Sequence, residues 1–179
     1  MKYLKIIILI VALIIGAVFV YMSLSPPKSP LGTASFKNEL HDLEVVYSRP
    51  YKKGRLIFGA EKNEALVPYG KYWRTGANAA TTFMTGSSIS FGGKEIAAGT
   101  YQLYTIPGAE SWLVFLNSEH DKYFAIMEPD QTKDIVKVVV PSYSVETPVE
   151  QFTIDFAKDS TSVSLNLKWD TTLISIPIK

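Results

Sequence analysis

The chain has 179 residues, with 18 Lys and Arg against 17 Asp and Glu, a formal net charge of +1 and no cysteine. That balance leaves no basic field to attract nucleic acid, and the missing cysteines exclude disulfide staples, a thiol nucleophile and a lipid-modified N-terminal Cys. The length beyond the first segment suits one domain with a core of its own.

The chain opens on a charge-free run from Ile6 to Pro27, with the apolar stretch IIILIVALIIGAVFVYM from Ile6 to Met22. As a helix rising 1.5 Å per residue, that stretch covers roughly 26 Å, close to the hydrocarbon thickness of a bilayer. Lys2 and Lys5 precede it, and such a flank holds the N-terminus in the cytoplasm and sends the rest across. A cleaved signal peptide is the alternative, but its apolar region would be about 7–15 residues and end in small side chains. Here the run ends in Phe19, Val20, Tyr21 and Met22, so an uncleaved signal anchor over 1–24 is expected. This reading makes the protein single-pass in the inner membrane, with its C-terminal domain outside the cytoplasm. Residues 25–35 are rich in Pro, Ser and Gly and read as a semi-extended tether.

Residues 36–179 are β in pattern. Leu43–Ser48 is a short β-branched run closed by Arg49-Pro50. Thr81–Thr85 and Ser88–Phe91 flank Gly86, and Gly92-Gly93 turns tightly into KEIAAG. Thr100–Ile106 and Ser111–Leu116 read as a hairpin around Pro107-Gly108. Ile135–Val140 should stop at Pro141. Gln151–Phe156 places Phe152, Ile154 and Phe156 on one face, and Ser162–Trp169 places Val163, Leu165, Leu167 and Trp169 inward. With Thr172–Ile178, the last three runs should form an antiparallel meander through AKDST and DT. Glu61–Leu66 suits one helical turn, and His120–Asp134 has no clear period. The strand spacing predicts an all-β fold, a single antiparallel β-sandwich or jelly-roll-like domain, preceded by one transmembrane helix.

Chemistry-bearing motifs are few. No Ser or Thr sits in a G-x-S-x-G elbow, and no catalytic residue is assigned. His41-Asp42 and His120-Asp121 are the only metal candidates, and adjacent residues on a strand point to opposite faces; no metal site is assigned. Gly-rich phosphate cradles are absent, since FGGKEIAAGTY reads as a hairpin, and no cofactor is expected.

The informative stretch is Tyr47–Thr82. All three arginines of the chain, Arg49, Arg55 and Arg74, lie in it, although lysines number fifteen overall. Arg is the choice where a planar, multi-donor fork faces a carboxylate, a phosphate or a backbone carbonyl. Tyr69, Tyr72, Trp73 and Asn78 accompany them in a glycine-rich stretch unsuited to a regular strand. Rings beside Arg and Asn in a loop suit a glycan- or peptide-binding cleft. Equally, Arg74 suits a buried strut tying loop carbonyls, with Trp73 plugging the end of the domain and Asn78 fixing a turn. Trp112 and Trp169, inside alternating strands, are expected in the core.

The motifs YSRP (47–50), KGRLIFG (53–59), LVPYGKYWRTGAN-ATT (66–82), GKEIAAGTYQLYTIPG (93–108) and W-x-V-F-x-N (112–117) closely resemble the domain of unknown function 2911 family. The resemblance runs from about residue 34 to the end. It implies an exported, largely β domain and no activity. Members commonly read GANEATT, with an acidic residue where this chain has Ala79. That departure weakens an enzymatic reading and leaves Arg74 to pair elsewhere.

The resulting expectation is a membrane-anchored, non-enzymatic binding module of the cell envelope. Its ligand is expected to be a glycan or peptide. The site would use Arg49, Arg55, Tyr69, Tyr72, Trp73, Arg74 and Asn78. Two alternatives stay open. One is a hydrolase acting on envelope glycans or peptides through carboxylates such as Glu44, Glu64 or Asp155. The other is a purely structural envelope component.

Overall fold

The computed structural model describes residues 2–24, 28–120, 127–159 and 162–179, the side chains of 2, 4–6, 9 and 22–24 lying outside that set. A helix, α1 (Lys2–Leu24), opens the chain. Its described apolar side chains, such as Leu13 and Ile15, are exposed. Among the described residues no helix is long and apolar enough to cross a membrane.

Among the described residues eleven strands follow: β1 (Leu31–Lys37), β2 (Asp42–Ser48), β3 (Phe58–Gly59), β4 (Val67–Pro68), β5 (Thr81–Thr85), β6 (Ile89–Phe91), β7 (Lys94–Ile96), β8 (Gly99–Ile106), β9 (Ser111–Asn117), β10 (Asp134–Lys158) and β11 (Val163–Ile178). Nine of them form one antiparallel sheet in the order β1-β2-β5-β8-β9-β10-β11-β6-β7, while β3 and β4 pair in parallel beside it.

The long last strands join the β-rich fold into one antiparallel sheet. The first part of β10 pairs with β9 from Asp134↔Asn117 to Pro141↔Ser111. Its remainder pairs with β11, from Ser142↔Ile174 to Lys158↔Val163. The strand therefore does not stop at Pro141. That proline sits at the hand-over between partners, a place that tolerates the missing N–H. The expected turn at Asp170-Thr171 is likewise absent. Asp170 takes φ 53°, and the register shifts between Val149 and Thr153 opposite it. The irregularity is absorbed as a bulge, and β11 runs on to Ile178. The three-strand meander is thus a hairpin of two long strands.

The tether is also shorter than its composition suggested. Leu31–Ser35 belongs to β1, paired with β2 from Leu31↔Ser48 to Lys37↔Asp42. Alternating exposure along β1 shows the period of a half-covered strand, which outweighs local Gly and Ser content. The short turn appears as a 3-10 turn at Glu61–Asn63. Within His120–Asp134 a second 3-10 turn covers Gln131–Lys133, and residues 121–126 lie outside the described set.

The sheet folds over on itself. The Phe83 ring on β5 lies 5.2 Å from the Phe91 ring on β6, strands far apart in the sheet order. The Tyr47 hydroxyl on β2 accepts from Ile154 N at 2.8 Å and donates to Ile154 O at 3.1 Å, tying β2 to the far half of β10. The enclosed core contains Phe152, Ile154, Val163, Leu165, Leu167 and Trp169, with Phe156 packed against it, as their alternation required. Trp112 is buried there too. Leu165 is wholly buried and Lys158 exposed. Leu165→Ala should cost about 2–5 kcal/mol, and Lys158→Ala under about 0.5 kcal/mol. Urea titration of both variants measures the difference, and equal losses would contradict this register.

Candidate functional site

The loop from Tyr69 to Ala80 is held by its own small polar groups. Trp73 and Thr105 exchange backbone hydrogen bonds, N–H to O at 2.8 and 2.9 Å. Thr75 Oγ1 donates to Thr105 Oγ1 at 3.0 Å, and Thr81 Oγ1 donates to Thr75 O at 2.7 Å. Trp73 then turns inward. It is 7% exposed, stacks on Trp169 at 5.9 Å, meets Phe58, Trp112 and Phe152 edge-on, and donates from Nε1 to Gly76 O at 3.1 Å. Gly76 needs to be glycine. Its φ is +150°, and a Cβ there would approach Ser48 O at 2.9 Å.

Above this aromatic plug lies an open cleft of about 740 Å³. Its apolar surface comes from Pro50, Tyr51, Leu66, Val67, Trp73 and Trp169, and its cationic groups are Lys28, Lys53, Arg55 and Arg74. Ser29, Gly76, Ala77 and Asn78 complete the lining, which among the described residues contains no carboxylate. The volume is within the range of small-molecule sites, roughly 300–1,000 Å³.

Both arginines at the cleft are oriented by backbone carbonyls. Arg74 Nη1 donates to Asn78 O at 3.0 Å. Arg55 donates from Nε to Lys52 O at 2.9 Å and from Nη2 to Tyr51 O. Asn78 adopts φ 59°, the left-handed conformation that Asn tolerates, and its Nδ2 donates to Ser29 O at 3.4 Å. Arg74 is therefore half-exposed and holds one loop carbonyl, rather than being a buried strut. The structural part of that expectation falls to Trp73 and Asn78.

Of the seven expected site residues, the cleft collects Arg55, Trp73, Arg74 and Asn78. The other three lie elsewhere. Arg49 points toward β10 and donates to Phe152 O at 3.3 Å and Thr153 Oγ1 at 3.2 Å. A Cβ on Gly32 would come within 2.4 Å of its Cδ, so β1 lies directly over it. Tyr69 lines a smaller hollow of about 270 Å³ beside Gly108 and Tyr143. Tyr72 packs on Tyr104, ring centroids 5.5 Å apart, with its hydroxyl buried near Gln102. Burial pushes the Tyr72 phenol above its usual pKa.

Sequence reasoning missed Lys28, Lys53, Leu66 and Trp169 as cleft residues. Lys28 read as tether and Trp169 as core. Nothing local distinguishes Lys53 from any solvated lysine.

The three carboxylates considered for hydrolysis do not line the cleft. Asp155 accepts from Asn166 at 3.0 Å and from Lys168 Nζ at 2.7 Å. Glu64 closes the first 3-10 turn in a left-handed conformation, and Glu44 lies within β2. Among the described residues no group of three or more His, Asp or Glu side chains could hold a metal ion. Of the two His-Asp pairs, Asp121 lies outside the described residues.

A model of the family described as Protein of unknown function (DUF2911) matches residues 29–178. No curated protein and no solved structure matches the chain.

Proposed function

The chain belongs to the DUF2911 family of proteins of unknown function, and from that premise we propose that it is a non-enzymatic binding module of the cell envelope, held at the membrane by its N-terminal helix. The cleft over Trp73 carries the binding part of this reading. It has the size of a ligand site, an aromatic and aliphatic wall, and arginine forks held in place by backbone carbonyls. Its ligand would be an envelope glycan or peptide fragment. The location rests on Lys2 and Lys5 preceding the uncharged apolar run of the first helix.

Two measurements test it. A reporter active only outside the cytoplasm, fused after Lys179, should be active, and the protein should stay with membranes through carbonate washing. Mature protein starting near Ser25 would remove the anchor from the reading. For the cleft, fragments of envelope glycans and peptides are screened by ligand-detected NMR against the full chain in detergent. Leu66 is 43% exposed at the cleft wall, so Leu66→Trp should fill the mouth at little cost to folding. Hits that vanish in Leu66→Trp support the reading. Hits indifferent to it, or no hits, refute the cleft as a binding site.

A further inference from the structure

The charge of the cleft is more specific than its shape. The chain as a whole is near neutral, yet four cationic side chains and no carboxylate line this one cleft. Several lysines elsewhere are matched by a carboxylate. Lys37 pairs with Asp42, Lys71 with Glu61, Lys133 with Glu119 and Lys168 with Asp155. Lys52, next in sequence to the cleft's Lys53, pairs with Asp170 at 2.5 Å. Among the described residues, none of Lys28, Lys53, Arg55 and Arg74 has a carboxylate partner. Glu150 approaches, but its Oε1 accepts from the Lys53 backbone N–H at 2.8 Å rather than from the ammonium.

Like charges gathered at one concave surface repel one another, and low-dielectric walls strengthen that repulsion. An anion seated among them converts the repulsion into attraction. The arginines are arranged for this. Their carbonyl partners are neutral, so each guanidinium keeps its full charge while its orientation is set before any ligand arrives. Among the described residues, Arg55 Nη1 and Arg74 Nε and Nη2 have no hydrogen-bond partner. Leu66 and Trp73 offer apolar contact beside them.

We infer that this cleft takes a small organic polyanion, with two or more carboxylate or phosphate groups on a ring or other apolar frame. This rests on the reading that the cleft binds a ligand, and it names the ligand's class. Within the glycans and peptides proposed above, it selects the acidic ones.

The test uses the full chain in neutral detergent and calorimetric titration at low salt. The probes are benzene-1,3,5-tricarboxylate, benzoate, the neutral benzene-1,3,5-tricarboxamide, and inorganic pyrophosphate. The tricarboxylate should bind at least about tenfold more tightly than benzoate, and its affinity should fall as salt rises. The tricarboxamide should not bind. Pyrophosphate, with charge and no frame, should bind more weakly than the tricarboxylate; a tighter pyrophosphate complex would transfer the site to free phosphates and overturn the apolar-frame part. The decisive variant is Lys28→Gln/Lys53→Gln, because among the described residues neither side chain has a hydrogen-bond partner. It should weaken the tricarboxylate about tenfold while the melting temperature does not fall, since removing two like charges relieves repulsion. The control pair Lys94→Gln/Lys158→Gln should do neither. Undiminished affinity in Lys28→Gln/Lys53→Gln would place the bound anion elsewhere and overturn the inference. Equal binding of the tricarboxamide, or no binding of the tricarboxylate, would overturn it too. In that case neutral fragments blocked by Leu66→Trp would still leave the cleft a binding site.

Discussion

Trp73→Ala should lower the unfolding free energy by about 3–5 kcal/mol. The indole is 7% exposed and touches four other aromatic rings, two of them the indoles of Trp112 and Trp169. Its removal leaves a cavity at the end of the core, and ring pairs of this kind add about 0.5–1.5 kcal/mol beyond area burial. The Nε1–H also satisfies Gly76 O, a carbonyl in a loop that closes only through such contacts. Trp73→Phe keeps much of the volume but not that bond, so its cost should be smaller than that of Ala. Leu40→Ala, at a side chain 75% exposed, should cost under about 0.5 kcal/mol. Chemical denaturation of the three variants gives the comparison. A Trp73→Ala protein as stable as Leu40→Ala would mean that the 69–80 loop does not plug the core.

The second large effect is alkaline. Burial raises the pKa of Tyr47, Tyr72 and Tyr104 above the ordinary value of 10.0. For Tyr104 the hydrogen bond to Asp134, 2.7 Å from the phenol oxygen, adds to burial, because a phenolate beside that carboxylate would be repelled. The direction for stability follows. Below about pH 10 both states hold these protons and the phenols give no pH dependence. Above it the unfolded chain releases them and the folded protein does not, so stability falls as pH rises toward the folded pKa values. Three such groups give a slope approaching roughly 4 kcal/mol per pH unit. Alkali should therefore destabilise the folded domain progressively, lowering its urea midpoint as pH rises above about 10. Tyr104→Phe should make that fall shallower. Urea midpoints across the alkaline range, with tyrosinate absorbance, measure both. Three buried tyrosines titrating in the folded protein near pH 10 would contradict their burial.

The β class, most strand positions and the last core face were legible in the sequence. They depend on period-two alternation, and side chains on a pleated strand must alternate faces wherever the strand lies. Phe152, Ile154, Leu165 and Leu167 are core for that reason. Glycine pairs were legible as well: Gly92 and Gly93 adopt φ 56° and 85° at the turn they mark. Of the three arginines concentrated in 47–82, two line the cleft and one does not.

What only the tertiary structure decided depends on partners distant in sequence. Pro141 and Asp170 look like strand ends locally. They are passed over because β10 changes partner at one and bulges against β11 at the other. Leu31–Ser35 looks like tether until β2 supplies hydrogen bonds. Arg49 and Arg74 carry the same fork, and only placement makes one a strut against β10 and the other a wall of the cleft. The cleft joins Lys28, Lys53, Arg74 and Trp169 across most of the chain. Its unpaired charge is a sum over positions, and no local pattern records which carboxylates fold away from it.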